Sequence, residues 1–277
     1  MPILDNHLHL NPEGQNVEAL RQFEKVGGTH AILCNMPYKG QNIKIGQDFR
    51  KQYQVTLDLA EKCRAGTNVK VYTMLGPYPG YMARLWDLLG PLETVQVMKE
   101  GMDIAAELVR EGKALGIGEI GRPHFPVSPE IWDASNEVLK YGMELAKEAG
   151  CTVQLHTESA GPEVWEELAV YAEQVGIEKE KVVKHYSGPA ILETENFGLF
   201  PSVLASKANI SAAAEKGSRF MMETDFLDDP TRPGAVLAAT TVPKRTKAYL
   251  EAGIFTEEMV SKIHGEWPQR VYGIDIE

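Results

Sequence analysis

The feature that most narrows what this chain can become is a rhythm. Short apolar runs of strand length recur from one end to the other, separated by longer segments of helical spacing rather than by hairpin turns. Eight runs stand out, at 3–9, 30–36, 70–77, 114–121, 152–158, 181–187, 201–206 and 219–225, the seventh being the weakest. Helical spacing fills 16–26, 47–64, 92–111, 129–149 and 162–175, and several of these segments stop at a glycine: Gly27, Gly112, Gly150 and Gly176. Such glycines cap helices in a left-handed conformation that other residues resist. Ser128-Pro129-Glu130-Ile131 reads as an N-cap followed by proline at the first helical position.

A strand–helix alternation repeated eight times in 277 residues predicts a (β/α)8 TIM barrel of parallel strands. A doubly wound sheet is the competing architecture, and periodicity alone does not separate the two. The connections after strands six and seven are short, so that side of the barrel is expected to be thinner. No linker-like stretch interrupts the pattern, so the reading is one domain over 1–277 that ends in a helical tail at 256–272.

Composition closes off several classes. With 43% hydrophobic residues the chain can bury a sizeable core, which excludes disorder, and its glycines and prolines follow no period. Lys and Arg number 28 against 39 Asp and Glu, a net charge of −11, so a broad basic face for duplex nucleic acid is not expected, although a local basic groove is compatible with an acidic protein. Cys34, Cys63 and Cys151 form no CxxC pair and read as reduced structural thiols. The start lacks a basic and apolar leader, and no stretch approaches the ~18 apolar residues of a membrane span. The expected location is the cytoplasm, with no membrane partner.

Polar residues fall where a barrel would gather them. The first strand ends in Asp5-Asn6-His7-Leu8-His9. Residues i and i+2 of a strand share a side, about 6–7 Å apart at the backbone, so two imidazoles there can grip one cation. Glu119, His156, His185 and Asp225 end the fourth, fifth, sixth and eighth runs. In a barrel the C-terminal strand ends ring a single mouth, so these residues converge although far apart in sequence. Four imidazoles and two carboxylates suffice for two metal ions, and such ligands suit Zn, Mn or Fe better than thiolate-type sites do.

The ordered set Asp5-Asn-His-Leu-His9, Gly118-Glu-Ile-Gly121, Leu155-His156, His185-Tyr-Ser-Gly188 and Glu223-Thr-Asp225 resembles the TatD-like metal-dependent hydrolases, a branch of the amidohydrolase superfamily, over nearly the whole chain. The resemblance implies a TIM barrel with a two-metal centre, Zn first among the candidates, with Mn, Fe or Mg as alternatives. It implies that His7, His9 and Asp225 hold one ion, that His156 and His185 hold the other, and that Glu119 bridges them. Asp225 would also shuttle the proton of the attacking water, beside Glu119 in the catalytic machinery. Phosphoester hydrolysis, on a small molecule or a nucleic-acid end, is the implied reaction.

Several departures qualify it. After Gly121 the family continues Leu-Asp, where this chain has Arg122-Pro123-His124-Phe125-Pro126. After His156 it has Thr157-Glu158 in place of a small residue and Arg, which removes a phosphate-binding cation. Arg122 is the candidate replacement, with a surface arginine as the alternative, and His124 reads as a satisfied loop histidine. These changes, with the divergent tail from His264 to Gly273, mark a separate, archaeal-type branch. The aromatic loop from Tyr78 through Tyr81 to Trp86 is expected at the mouth, with Tyr78 and Tyr81 as substrate contacts or as part of a helix packing on itself. Lys39, Lys44, Arg232, Lys244 and Arg245 would meet phosphate only if their loops fold inward. Gly116-Ile-Gly118-Glu-Ile-Gly121 matches a dinucleotide loop in letters, but prolines follow where a helix should open. His30 reads as a structural histidine at the opposite end, and Asp228-Asp229 as solvated loop charges, with helix capping as the alternative.

The leading function is therefore metal-assisted hydrolysis of phosphoesters. The same chemistry also permits cleavage of a C–N or C–O bond in a small cyclic amide, lactone or ester. A metal-binding barrel without catalysis is the third reading.

Overall fold

The order of the strands decides between the two architectures. The computed structural model describes residues 1–159 and 161–276. Its strands are β1 (Leu4–His9), β2 (His30–Cys34), β3 (Lys70–Leu75), β4 (Gly116–Gly121), β5 (Thr152–His156), β6 (Val182–Lys184), β7 (Phe200–Leu204), β8 (Met221–Glu223) and β9 (Phe226–Leu227). They pair in the order β8-β7-β6-β5-β4-β3-β2-β1-β9, every pair parallel. A doubly wound sheet reverses direction part-way, and this one does not.

Only Thr224 and Asp225 separate β8 from β9, the two ends of the sheet, so the sheet curls back on itself. Side chains complete the seam. The buried Asp5 carboxylate accepts hydrogen bonds from the Thr224 N–H at 3.0 Å and the Thr224 hydroxyl at 2.6 Å, and the Asp225 N–H donates to the His7 carbonyl at 2.9 Å. The domain is thus TIM-barrel-like, with the expected thin side: the helix after β6 spans only Glu193–Asn196 and the one after β7 only Lys207–Lys216. A helix at Thr241–Glu251, which the spacing analysis did not anticipate, precedes the tail.

Local chemistry explains the helix ends. The helix Pro129–Ala149 starts where Ser128 Oγ accepts from the Ile131 N–H at 3.4 Å, and it stops at Gly150, whose φ of 66° is left-handed. Its buried Val138, Leu139, Met143 and Ala146 pack with Ile117, Ile120, Val153 and Leu155 of β4 and β5. Each of the larger side chains, Val, Leu, Ile or Met, stabilises the fold by about 1.5–3 kcal/mol when fully buried. The glycines of β4 serve the same contact. A Cβ on Gly116 would stand 2.3 Å from the Thr152 carbonyl oxygen, and one on Gly121 1.9 Å from that of His156. The pattern that mimics a dinucleotide loop is close packing of two strands.

The barrel interior holds Leu4, Ile32, Met74, Val183, Phe200 and Met221, together with Val271 and Tyr272 from the tail. The tail runs through helical turns at Glu257–Ser261 and Trp267–Tyr272 and plugs the foot, where Thr152 Oγ1 donates to the Val271 carbonyl at 2.7 Å. Asp228, expected among solvated charges, is instead buried. Its carboxylate accepts the N–H groups of Asn11, Gln15 and Asn16 at 2.7–3.1 Å and so fixes the loop after β1. Among the described residues no helix is long and apolar enough to cross a membrane.

Candidate metal centre

His7, His9, Glu119, His156, His185 and Asp225 come together at the C-terminal ends of β1, β4, β5, β6 and β8. One oxygen sits among three of the imidazoles. Glu119 Oε2 lies 3.0 Å from His156 Nδ1, 3.4 Å from His185 Nε2 and 3.6 Å from His7 Nε2. Asp225 Oδ1 lies 3.6 Å from His9 Nε2 and 3.8 Å from His7 Nε2. Asp225 has a φ of 46°, an uncommon conformation for a non-glycine residue that takes the chain out of β8 at the mouth.

The far side of each ring fixes which nitrogen faces the cluster. Gln154 Nε2 donates to the Asn6 carbonyl at 3.0 Å, so its Oε1 is the atom 2.9 Å from His7 Nδ1. That oxygen only accepts, hence His7 carries its proton on Nδ1 and turns the Nε2 lone pair inward. His9 Nδ1 faces the Cys34 carbonyl at 3.1 Å, with the same result. With both rings neutral the two Nε2 lone pairs would face each other 3.0 Å apart, an arrangement that either a proton or a metal cation relieves. His185 Nδ1 donates to Glu223 Oε1 at 3.2 Å and likewise leaves Nε2 free. Imidazole nitrogens and carboxylate oxygens gathered this way fit borderline divalent cations.

Electrostatics agrees. Burial pushes the imidazole of His7 down to about 4 and that of His185 to about 3, so both rings are neutral near pH 7 and able to act as ligands. Burial also opposes charge on His9, yet the Asp225 hydrogen bond and the Glu119 charge outweigh it and raise His9 to about 9. Without a cation, a proton answers the negative charge, and metal binding releases such protons. Burial favours the neutral acid at Glu119 and Asp225 too, but the surrounding imidazoles hold both carboxyls below their ordinary values.

A pocket of about 480 Å³ opens over the cluster, walled by Tyr78, Met36, Leu227 and Val236. Tyr78 meets His156 edge-on at 5.5 Å. Lys39 and Arg232 stand at its rim, paired with Glu13 at 3.2 Å and Asp229 at 2.9 Å. Lys44, Lys244 and Arg245 are not among its walls.

Tyr81 and Arg122, expected to meet substrate, are placed elsewhere. Tyr81 opens the helix Tyr81–Leu89, is buried, and accepts from Gln52 Nε2 at 2.7 Å. Arg122 is 1% exposed and lies over the Trp132 ring, with its guanidinium donating to Glu158 at 2.8 Å, Asn136 at 3.0 Å and Glu167 at 2.7 Å. The residue that displaced a cation, Glu158, is the one that draws Arg122 away. His124 is not a bystander: its Nδ1 is 2.7 Å from His156 Nε2, and with a cation on His156 Nδ1 it accepts the proton on Nε2.

Three side chains behind the cluster escaped the sequence reading as site residues: Asp5, Gln154 and Glu223. Each stands two residues before a cluster residue, His7, His156 and Asp225 respectively, and so one step deeper on the same strand. Glu223 is fully buried and its acid is pushed up to about 7 by burial. It accepts from the Tyr186 N–H at 2.7 Å as well as from Ser202 and His185. The period-2 rule, applied backward from each candidate ligand, finds all three.

Fold and cluster together define a TIM-barrel-like protein with a buried His/Glu/Asp constellation able to hold metal at its C-terminal mouth. The family model described as TatD related DNase matches residues 4–273, and the chain belongs to that family. It is 40% identical over 280 residues to an uncharacterized protein of Methanocaldococcus jannaschii, covering 100% of this chain and 98% of that one. Its fold is similar to the crystal structure of a TatD-like protein from Archaeoglobus fulgidus, with a TM-score of 0.68 at 18% identity, covering 98% of this chain and 100% of that one. It is also similar to a phosphotriesterase homology protein from Escherichia coli complexed with phosphate in its active site, with a TM-score of 0.66 at 15% identity and 98% of each chain covered. Membership of the family supports a metal-dependent hydrolase.

Proposed function

We propose that this protein hydrolyses phosphoester bonds, in small molecules or at nucleic-acid ends, with a pair of divalent cations: Zn, or else Mn, Fe or Mg. His7, His9 and Asp225 hold one ion, His156 and His185 the other, and Glu119 stands between them. The observation that carries this reading is the position of Glu119 Oε2 within 3.0–3.6 Å of three imidazole nitrogens, at least two of them with lone pairs set inward by their partners. Bound there, divalent cations lower the pKa of a shared water and neutralise the charge that develops on the scissile group.

The chain's own residues supply the rest. Asp225 borders the pocket in ionised form and accepts the proton that the attacking water gives up. Tyr78 and the apolar wall of Met36, Leu227 and Val236 exclude bulk water from one side of the substrate. Lys39 and Arg232 add positive charge at the rim of a protein that is otherwise strongly acidic.

The test is turnover of bis(p-nitrophenyl) phosphate by protein reconstituted with Zn or Mn, against a panel of lactones and cyclic amides. The expected result is metal-dependent phosphodiester cleavage that falls about 10²–10⁴-fold in Asp225→Asn. Turnover of lactones or amides with none of phosphoesters would replace this reading with C–O or C–N hydrolysis.

A further inference from the structure

A second hollow of about 350 Å³ lies beside the pocket over the cluster and shares His156, His185 and Asp225 with it. Lys184, Thr157, Ser159 and Tyr186 contribute to its other walls. Lys184 is the unusual member. It is 1% exposed, and its Nζ donates to the His185 carbonyl at 2.6 Å. An ammonium has three N–H donors.

Among the described residues no carboxylate oxygen lies within 4.0 Å of that nitrogen. The nearby acids have other partners. Glu158 is held by Arg122, Glu223 by Ser202, His185 and the Tyr186 N–H, and Asp225 stands beside His9. A buried cation that lacks a paired anion is costly, and burial normally selects for one. Here a buried ammonium with no carboxylate within 4.0 Å, although Glu223, Glu158 and Glu119 act on it from farther off, borders a hollow that Glu158 and His124 also line and that opens onto the metal cluster.

We propose that Lys184 is the anion-binding residue of a substrate subsite, which takes a second oxyanion group of the substrate, phosphate or carboxylate, while the scissile bond lies over the metal ligands. The site prefers substrates that carry charge on both sides of the scissile position. The kinetic part rests on the hydrolase reading above; the binding part does not.

Binding is tested in chelator-treated protein, titrated with inorganic phosphate and separately with succinate, and followed by calorimetry. Wild type is expected to bind at least one of the two, and the tighter of them names the oxyanion class. Lys184→Met, which fills the same buried volume without charge, is expected to weaken that binding about tenfold or more, the scale of a charge-assisted hydrogen bond. Lys262→Met, an equal change of net charge on an exposed helix, is the control. Equal affinity in wild type and Lys184→Met, or no binding of either anion to wild type, overturns the proposal. Should the Met variant not fold, Lys184→Gln carries the same comparison.

The kinetic arm uses two p-nitrophenyl phosphodiesters that differ only by a terminal phosphate. Wild type is expected to show a lower KM for the one with the extra phosphate, and Lys184→Met to abolish that preference, the two diesters then having the same KM. If neither diester is turned over, the phosphoester reading falls while the binding result still decides Lys184.

Discussion

The barrel holds histidines at both ends, and the two ends treat the same ring in opposite ways. Five of the seven histidines stand at the mouth, and His30 and His264 lie buried at the foot. At the foot, both nitrogens of His264 have protein partners. The Thr246 hydroxyl donates to the Val242 carbonyl, so its oxygen is free to accept from His264 Nε2–H at 2.9 Å, while the Leu4 N–H donates to Nδ1 at 3.2 Å. At the mouth, each of His7, His9 and His185 has one nitrogen matched by an acceptor and the other turned on its neighbours. Burial alone makes a structural histidine. What suits a ring to hold metal is burial with one nitrogen matched and the other turned on further imidazoles and carboxylates: His30 also has a matched Nδ1 and a buried Nε2 without a partner, but among the described residues it belongs to no such cluster.

The largest effect that separates the two ends is in metal content. His7→Ala is expected to lose bound metal and to reduce activity by about a thousandfold, roughly 4 kcal/mol of transition-state stabilisation. His264→Gln is expected to keep both. Metal analysis per chain checks this, and equal metal in both variants would break the comparison.

The foot should show itself in acid stability instead. Burial pushes His264 from 6.5 down to about 4. Between those values the unfolded chain takes up a proton that the folded one refuses, so stability falls as pH drops through the window and is unaffected above it. The contribution is roughly 2–3 kcal/mol. Urea unfolding of wild type and His264→Gln at pH 7 and pH 4.5 should show the wild-type advantage shrinking by about that amount at the lower pH. Parallel curves would mean that the ring is not held neutral.

The smallest effect tests the lock on a ligand. Gln154→Leu removes the acceptor of His7 Nδ1–H and should weaken metal affinity about 10–100-fold without unfolding the barrel. Tyr272→Phe, which removes a hydroxyl 2.7 Å from Gln154 Nε2, should weaken it less than tenfold. Competition with a chromogenic chelator measures both. Unchanged affinity in Gln154→Leu would deny that the amide sets the tautomer.

Much of this architecture is legible in the sequence, because apolar runs and helix caps are local signals. The strand-end positions of the six cluster residues are legible for the same reason, once the runs are taken as barrel strands. What escaped depends on partners far away in the chain. Arg122 stands in a loop at the mouth, and nothing local announces that Glu158, Glu167 and Asn136 will claim its guanidinium. Asp228 looks like half of a solvated acidic pair until the loop after β1 wraps around it. Lys184 reads as an ordinary lysine beside a histidine, and only the packing of β5 and β6 shows it buried. The helix Thr241–Glu251 contains a proline and little apolar periodicity, and its place is set by packing on the thin side of the barrel.

The Tyr272–Gln154–His7 line also orders events in time. A ribosome makes the first cluster residue at position 7 and the last at position 225, but the hydroxyl that steadies the Gln154 amide arrives 47 residues after Asp225, since 272 − 225 = 47. A nascent chain can therefore display all six cluster residues before the foot is plugged and before the amide is steadied.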